Sequence, residues 1–144
     1  MRLAKLNPGL VPAGTAISLS KSQHDGKTIM LDTLTGSTIT LPAALGTQCK
    51  IKVVEKIAAT SNSHVIKVQN ITDVMIGGVT VAGTTTAQFA PGASDDTITM
   101  NRTTTGGATK GAVFEFEDIA AGFWHVSGQA NGSGAVATPF SATV

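Results

Sequence analysis

Residues 26–44 read GKTIMLDTLTGSTITLPAA, and no other stretch narrows the possible folds so sharply. Ile29 and Leu31 recur at a spacing of two, as do Ile39 and Leu41, while Thr28, Thr38 and Thr40 fill much of the opposite phase. A period of two sends one face of the chain inward and the other outward, which is strand geometry and not helix geometry. Thr35, Gly36 and Ser37 supply turn residues between the two runs. The segment predicts a two-strand β unit and carries no chemistry of its own.

The same alternation recurs downstream. Ile51 and Val53 alternate with Lys50 and Lys52, giving a half-buried third strand. After a polar loop at 59–63, residues 64–68 resume the pattern with Ile66 and either Val68 or Val65 inward. Val74-Met75-Ile76 and Val79-Thr80-Val81 flank Gly77-Gly78, a spacing that predicts a hairpin. Residues 82–86 read as a loop or weak edge. Pro91-Gly92 and Asp95-Asp96 are turn chemistry before another alternating run at 97–101, and 101–110 is a polar, glycine-bearing loop. Phe114 and Phe116 oppose Glu115 and Glu117 in the best-patterned strand, and Ala120-Ala121-Gly122 turns it into 123–126, where Trp124 or Phe123 joins the core.

The short runs 43–45 and 57–59 allow no more than single helical turns. The expected fold is therefore all-β: one small β-sandwich or barrel-like domain of about eight or nine short strands. Its expected organisation is an extended N-terminal arm over 1–16, a β domain over 17–128, and a flexible link and tail over 129–144. The arm holds Leu3, Leu6, Leu10 and Val11 among Pro8, Gly9, Pro12 and Gly14. That mixture suits an extended apolar segment lying on a partner, or a frayed terminus with a first edge strand.

Charge excludes several functions. The 144 residues carry a net charge of +1 and only 13% charged residues, so nucleic acid and anionic membrane surfaces are not expected partners. Thr, Ser, Asn and Gln supply the polar surface instead, and uncharged hydroxyls are cheaper to desolvate against a neighbour than charges are. No window approaches the roughly 18 apolar residues of a membrane span. The prolines and glycines of the first 14 residues interrupt any signal-peptide core, so no secretory signal is expected.

Motifs for catalysis fail one by one. Gly26-Lys27-Thr28 resembles the end of a phosphate-binding loop, but position 21 is Lys where that motif needs Gly, and a strand follows instead of a helix. His24, His64 and His125 lack any metal-ligand spacing, and each reads as a surface or loop-capping residue. Asp95-Asp96 lacks the ligands of a calcium loop, and Glu115 with Glu117 reads as a solvated strand face. Cys49, the single cysteine, reads as a small buried hydrophobe. Asn70-Ile71-Thr72, Asn101-Arg102-Thr103 and Asn131-Gly132-Ser133 match the glycosylation sequon, which recurs by chance in a Thr-rich chain. No catalytic residue, cofactor or metal is expected, and the protein is not expected to be an enzyme.

One likeness spans residues 22–144. The order HDGKTIMLDTLTGSTITLPAALG, KIKVVE, ATSNSHVIKVQNITDVMIGGV, SDDTITMN, GFWHVSG and ATPFSA resembles small virion proteins of tailed bacteriophages, in particular head decoration (cement) proteins. Related β units occur in phage fibre and tail-spike modules. The resemblance implies a homotrimer on the outer surface of the phage head that ties neighbouring major capsid protein subunits together. Leu3, Leu6, Leu10 and Val11 are then the expected capsid contacts, and removal of 1–16 is expected to abolish capsid binding while leaving the domain folded. The alternative is a fibre module for host receptor or glycan binding, with loops 82–87 and 101–110 as its contacts.

Overall fold

Ile29, Leu31, Ile39 and Leu41 are fully enclosed, as a period of two requires when one face of each strand meets a second sheet. The computed structural model describes residues 9–144, so Leu3 and Leu6 lie outside the described residues. Its elements are β1 Leu10–Pro12, β2 Ala16–Ser18, a single helical turn α1 Lys21–His24, β3 Thr28–Leu31, β4 Thr38–Thr40, β5 Lys50–Glu55 and β6 His64–Lys67. Then follow β7 Val74–Ala82, β8 Thr86–Phe89, β9 Thr97–Met100, β10 Val113–Ala120, β11 Phe123–Asn131 and β12 Phe140–Ser141. Seven strands form one sheet in the order β1-β3-β5-β10-β11-β7-β8, and five form the other in the order β12-β9-β6-β4-β2. The protein is an all-β sandwich. The strands number twelve and not eight or nine, because two- and three-residue strands such as β1, β2 and β12 are too short to print a period.

The first six strands alternate between the sheets. β1, β3 and β5 are parallel neighbours in the large sheet, and β2, β4 and β6 are parallel neighbours in the small one. The two strands of residues 26–44 therefore do not pair with each other; the connection between them crosses the sandwich. The second half closes the body with antiparallel pairs β5–β10, β10–β11, β7–β8 and β6–β9.

Three readings of the sequence are revised. Gly77 and Gly78 lie inside β7, which runs unbroken alongside β11 in parallel register. Gly77 has φ +109°, and a Cβ there would collide with the Val126 carbonyl, so the glycine permits close backbone approach and makes no turn. Residues 10–12, inside the expected arm, form an edge strand, a second edge strand at 16–18 begins on the arm's last residue, and Ala13 between them is buried. β11 extends to Asn131 and β12 pairs with β9, so parts of the expected link and tail also belong to the sheets.

Phe114, Phe116 and Trp124 fill the centre of one continuous core with Ile66, Ile98 and Met100 from the opposite sheet. Each such aromatic is worth about 2–3 kcal/mol by apolar burial. Of the two aromatics that opened β11, Trp124 is the core residue, and its Nε1 donates to Pro42 O at 3.0 Å, tying the sheets together. Phe123 faces out.

Candidate functional site

Most residues with chemical potential are spent on structure. His24 Nδ1 accepts from the Ser20 amide at 2.9 Å. His64 Nδ1 accepts from the Ser37 amide at 3.0 Å, which puts the ring proton on Nε2, 2.8 Å from Ile57 O. Both cap loops, and only His125 is a solvent-facing histidine. Asp95 accepts from the Gly92 amide at 2.7 Å, and buried Asp96 holds the C-terminal residues through the Thr143 amide at 2.9 Å. Burial pushes the Cys49 thiol up to about 11, leaving no thiolate at neutral pH. Among the described residues no three His, Cys, Asp or Glu side chains gather as a metal site, and no helix is long and apolar enough to cross a membrane. Asn70 and Asn101 of the sequons each accept backbone amides two to four positions on. They build Asx turns.

Glu55 is the exception. It points into the core at the end of β5 with its side chain fully enclosed, and neither carboxyl oxygen has a hydrogen-bond partner. His64 Nε2 lies 3.8 Å from Oε2. Burial pushes the carboxyl up to about 7, and burial likewise holds His64 below its ordinary value.

The outer face of the large sheet is concave and encloses about 550 Å³. Lys52 stands opposite Glu115, and Lys50 opposite Glu117, which in turn faces His125 on β11. None of these side chains closes an ion pair or hydrogen bond among the described residues. This is a solvated charged face.

The end of the sandwich remote from Glu55 is built differently. Three connections meet there, 41–49, 68–73 and the β10–β11 turn: Leu45 bridges Ala121, the Gly122 amide donates to Ala44 O at 2.9 Å, and the Val74 amide donates to Gly122 O at 2.9 Å. Asp118 anchors the first connection by accepting from the Leu45, Gly46 and Thr47 amides at 3.0, 2.7 and 3.0 Å and from Thr47 Oγ1 at 2.8 Å. Burial opposes its ionisation, but these donors together hold the carboxyl below the ordinary carboxylate value. Asp73 accepts from the Ala44 amide at 2.8 Å and from Asn70 Nδ2 at 3.1 Å.

On this fixed frame Leu45, Ile71, Ile119 and Phe123 stand 69%, 80%, 46% and 42% exposed. They are four of the six large exposed hydrophobics among the described residues. The only charged residues of the three connections, Asp73 and Asp118, are buried. An apolar end held by so many hydrogen bonds can bind another apolar surface at little ordering cost.

None of the four was read from the sequence as a contact residue: Phe123 was weighed only for the core, and Ile71 appeared only inside a glycosylation sequon. Their signal was an apolar residue inside a turn-forming run, Leu45 before Gly46 and Ile71 after Asn70. Of the expected capsid contacts within the described residues, Leu10 is exposed and Val11 packs against the core. No family model, curated protein or solved structure matches the chain.

Proposed function

We propose that this protein is a non-enzymatic structural component of a tailed-phage virion, a decoration protein that binds the outer surface of the assembled head and stabilises the major capsid protein lattice as a homotrimer. The observation that carries the reading is the preorganised, charge-free apolar end, in a body whose interior ionisable groups largely hold loops in place. That is the surface of a protein made to be covered by other proteins. The near-neutral charge and the likeness of residues 22–144 to decoration proteins support it. Binding only the assembled lattice adds free energy to that state, and many weak copies sum to a robust shell.

The test is co-sedimentation with purified expanded heads of the phage that encodes the chain. Saturable binding to heads, with none to unassembled capsid subunits, is the expected result; absence of binding to heads refutes the proposal. The contribution of the N-terminal arm is read from a deletion of residues 1–8. The wider deletion of 1–16 also removes β1 and buried Ala13 and so confounds binding with folding.

A further inference from the structure

Residues 107–111, Gly-Ala-Thr-Lys-Gly, lie over the Glu55 carboxyl just before β10. A Cβ at Gly107 would stand 3.3 Å from Glu55 Oε2 and 3.0 Å from Met100 Cβ, so a glycine is what brings the backbone this close. Among the described residues two hydrogen bonds hold the segment, from the Ala108 amide to Asn131 O at 2.8 Å and from the Gly111 amide to Glu55 O at 2.9 Å. Thr109 and Lys110 between them are exposed. The ends are Gly107 and Gly111, at φ +84° and +112°, where glycine can swing the chain at no steric cost. The first half of the same loop is bound down: Thr103 O accepts from the Ser133 and Gly134 amides at 3.0 Å each, and Thr104 O from the Ala137 amide at 2.8 Å. The other walls around Glu55 are strands, with Leu31 of β3 beside it in register, His64 of β6 and Met100 of β9.

We propose that residues 107–111 are a pH-operated flap over Glu55, closed while the carboxyl carries its proton and opening to admit water when it ionises. His64 is the titratable group that faces Glu55, and it offers no charge: Nδ1 accepts from the Ser37 amide and the Nε2 proton goes to Ile57 O, so a second proton would break the bond to Ser37. The other charged groups of the surrounding elements are turned to other work. Lys56 and Lys110 are exposed, Arg102 Nη1 donates to Ala59 O at 3.3 Å, and Asp32, next to Leu31, accepts from the Gly14 amide. A carboxylate at this position therefore has only water to supply its donors, and water enters where the wall is held by the fewest bonds. Burial sets the titration at about 7, so the flap works in the neutral range.

The flap is independent of what the protein binds, and the purified chain is enough to test it. Hydrogen exchange of the Ala108 and Gly111 amides is followed by NMR from about pH 6 to 8.5 and expressed as protection factors, which divide out the intrinsic pH dependence of exchange. Each value is compared with that of Glu55→Gln at the same pH; the variant keeps His64, so any contribution of the imidazole cancels. Opening returns the carboxyl from about 7 to its ordinary 4.5, so protection of both amides in the wild type is expected to fall roughly tenfold across this range relative to the variant. The fall is expected to be the same in about 1 M urea, which speeds exchange through global unfolding and leaves a local opening nearly untouched. Glu55→Leu replaces Glu55→Gln if the latter misfolds. A ratio that stays constant with pH overturns the proposal, because the ionised carboxyl then remains enclosed. A fall that urea enlarges overturns it as well, because only unfolding of the whole chain then exposes Glu55.

Discussion

Replacing Glu55 by Gln should make the protein more stable at neutral and alkaline pH and leave it nearly unchanged in mild acid. The side chain is fully enclosed, its oxygens are unpartnered, and among the described residues the one basic side chain within ion-pair distance is His64, which is neutral when its Nδ1 accepts from Ser37. Met100 and Gly107 close over it from β9 and the 101–111 loop. The carboxyl titrates at about 7 in the fold against an ordinary 4.5. A raised folded value in an acid means that its contribution is fully present below pH 4.5, fades as pH rises, and is gone above 7. At about 1.4 kcal/mol per unit the loss is about 3 kcal/mol, or roughly 10 °C in Tm for a domain of this size.

His64 works in the opposite direction. Buried and neutral, it contributes stability above its ordinary value of 6.5 that is lost as pH falls through its lowered folded value. The wild-type curve alone therefore mixes two signs, and the informative quantity is the difference between variant and wild type. Urea unfolding at half-unit steps from pH 4.5 to 8.5 should show that difference growing by about 3 kcal/mol with increasing pH. Glu55→Leu, which also cannot ionise, should trace the same slope. A difference constant to within about 0.5 kcal/mol across the range would refute the reasoning, since it would mean that the buried carboxyl titrates as it does in the unfolded chain.

Asp118→Asn should cost about 3 kcal/mol in urea unfolding, because a carboxylate with four donors becomes an amide with one acceptor oxygen. The wild type should also lose stability as pH falls from the ordinary 3.8 through the lowered value of Asp118, and the variant should lack that part of the acid limb. Gly77→Ala and Gly14→Ala both place a side chain at positive φ, yet only at Gly77 does the new Cβ strike backbone. Calorimetry should show about 1 kcal/mol lost at Gly14 and about 3 kcal/mol or more at Gly77; equal losses would remove the close-approach argument. Deleting residues 1–16 should lower Tm measurably, because it takes away β1, buried Ala13 and the bond from the Gly14 amide to Asp32 Oδ1 at 2.9 Å; an unchanged Tm would mean that the first edge strand contributes nothing.

Burial phase was legible in the sequence wherever a strand is long enough to alternate. Ile51 and Val53 against Lys50 and Lys52, and Phe114 and Phe116 against Glu115 and Glu117, face inward and outward as their period requires. Partnership was not legible, because period two says which face is buried and nothing about which strand lies alongside. β3 and β4 are consecutive and share a pattern, yet they belong to different sheets. Leu10 pairs with Thr28 and Thr28 with Lys52, while Ala16 pairs with Thr38 and Thr38 with Val65. Those strides are unequal, so the two-sided winding of the first half leaves no repeat to detect.

Gly77-Gly78 misled for a related reason. Glycine marks a turn and a close backbone approach with the same letter, and only the neighbouring β11 decides between them. The apolar end was hidden by the logic that made the core visible: Ile71 and Leu45 sit in loops, where periodicity assigns no face. What the sequence did offer there was the anchor. Asp118 falls at an inward position of the best-patterned strand, in phase with Phe114 and Phe116, where a charge is unaffordable unless several donors converge on it. A buried carboxylate in a strand therefore predicts a loop folded over it. With Asp118 the donors come from residues 45–47, and the loop they fix is the one that presents Leu45. Glu55 occupies the matching inward position on β5, and no loop supplies it with donors. The two carboxyls are alike in pattern and opposite in consequence: one sets the shape of the exposed end, and the other leaves the far end of the core dependent on pH.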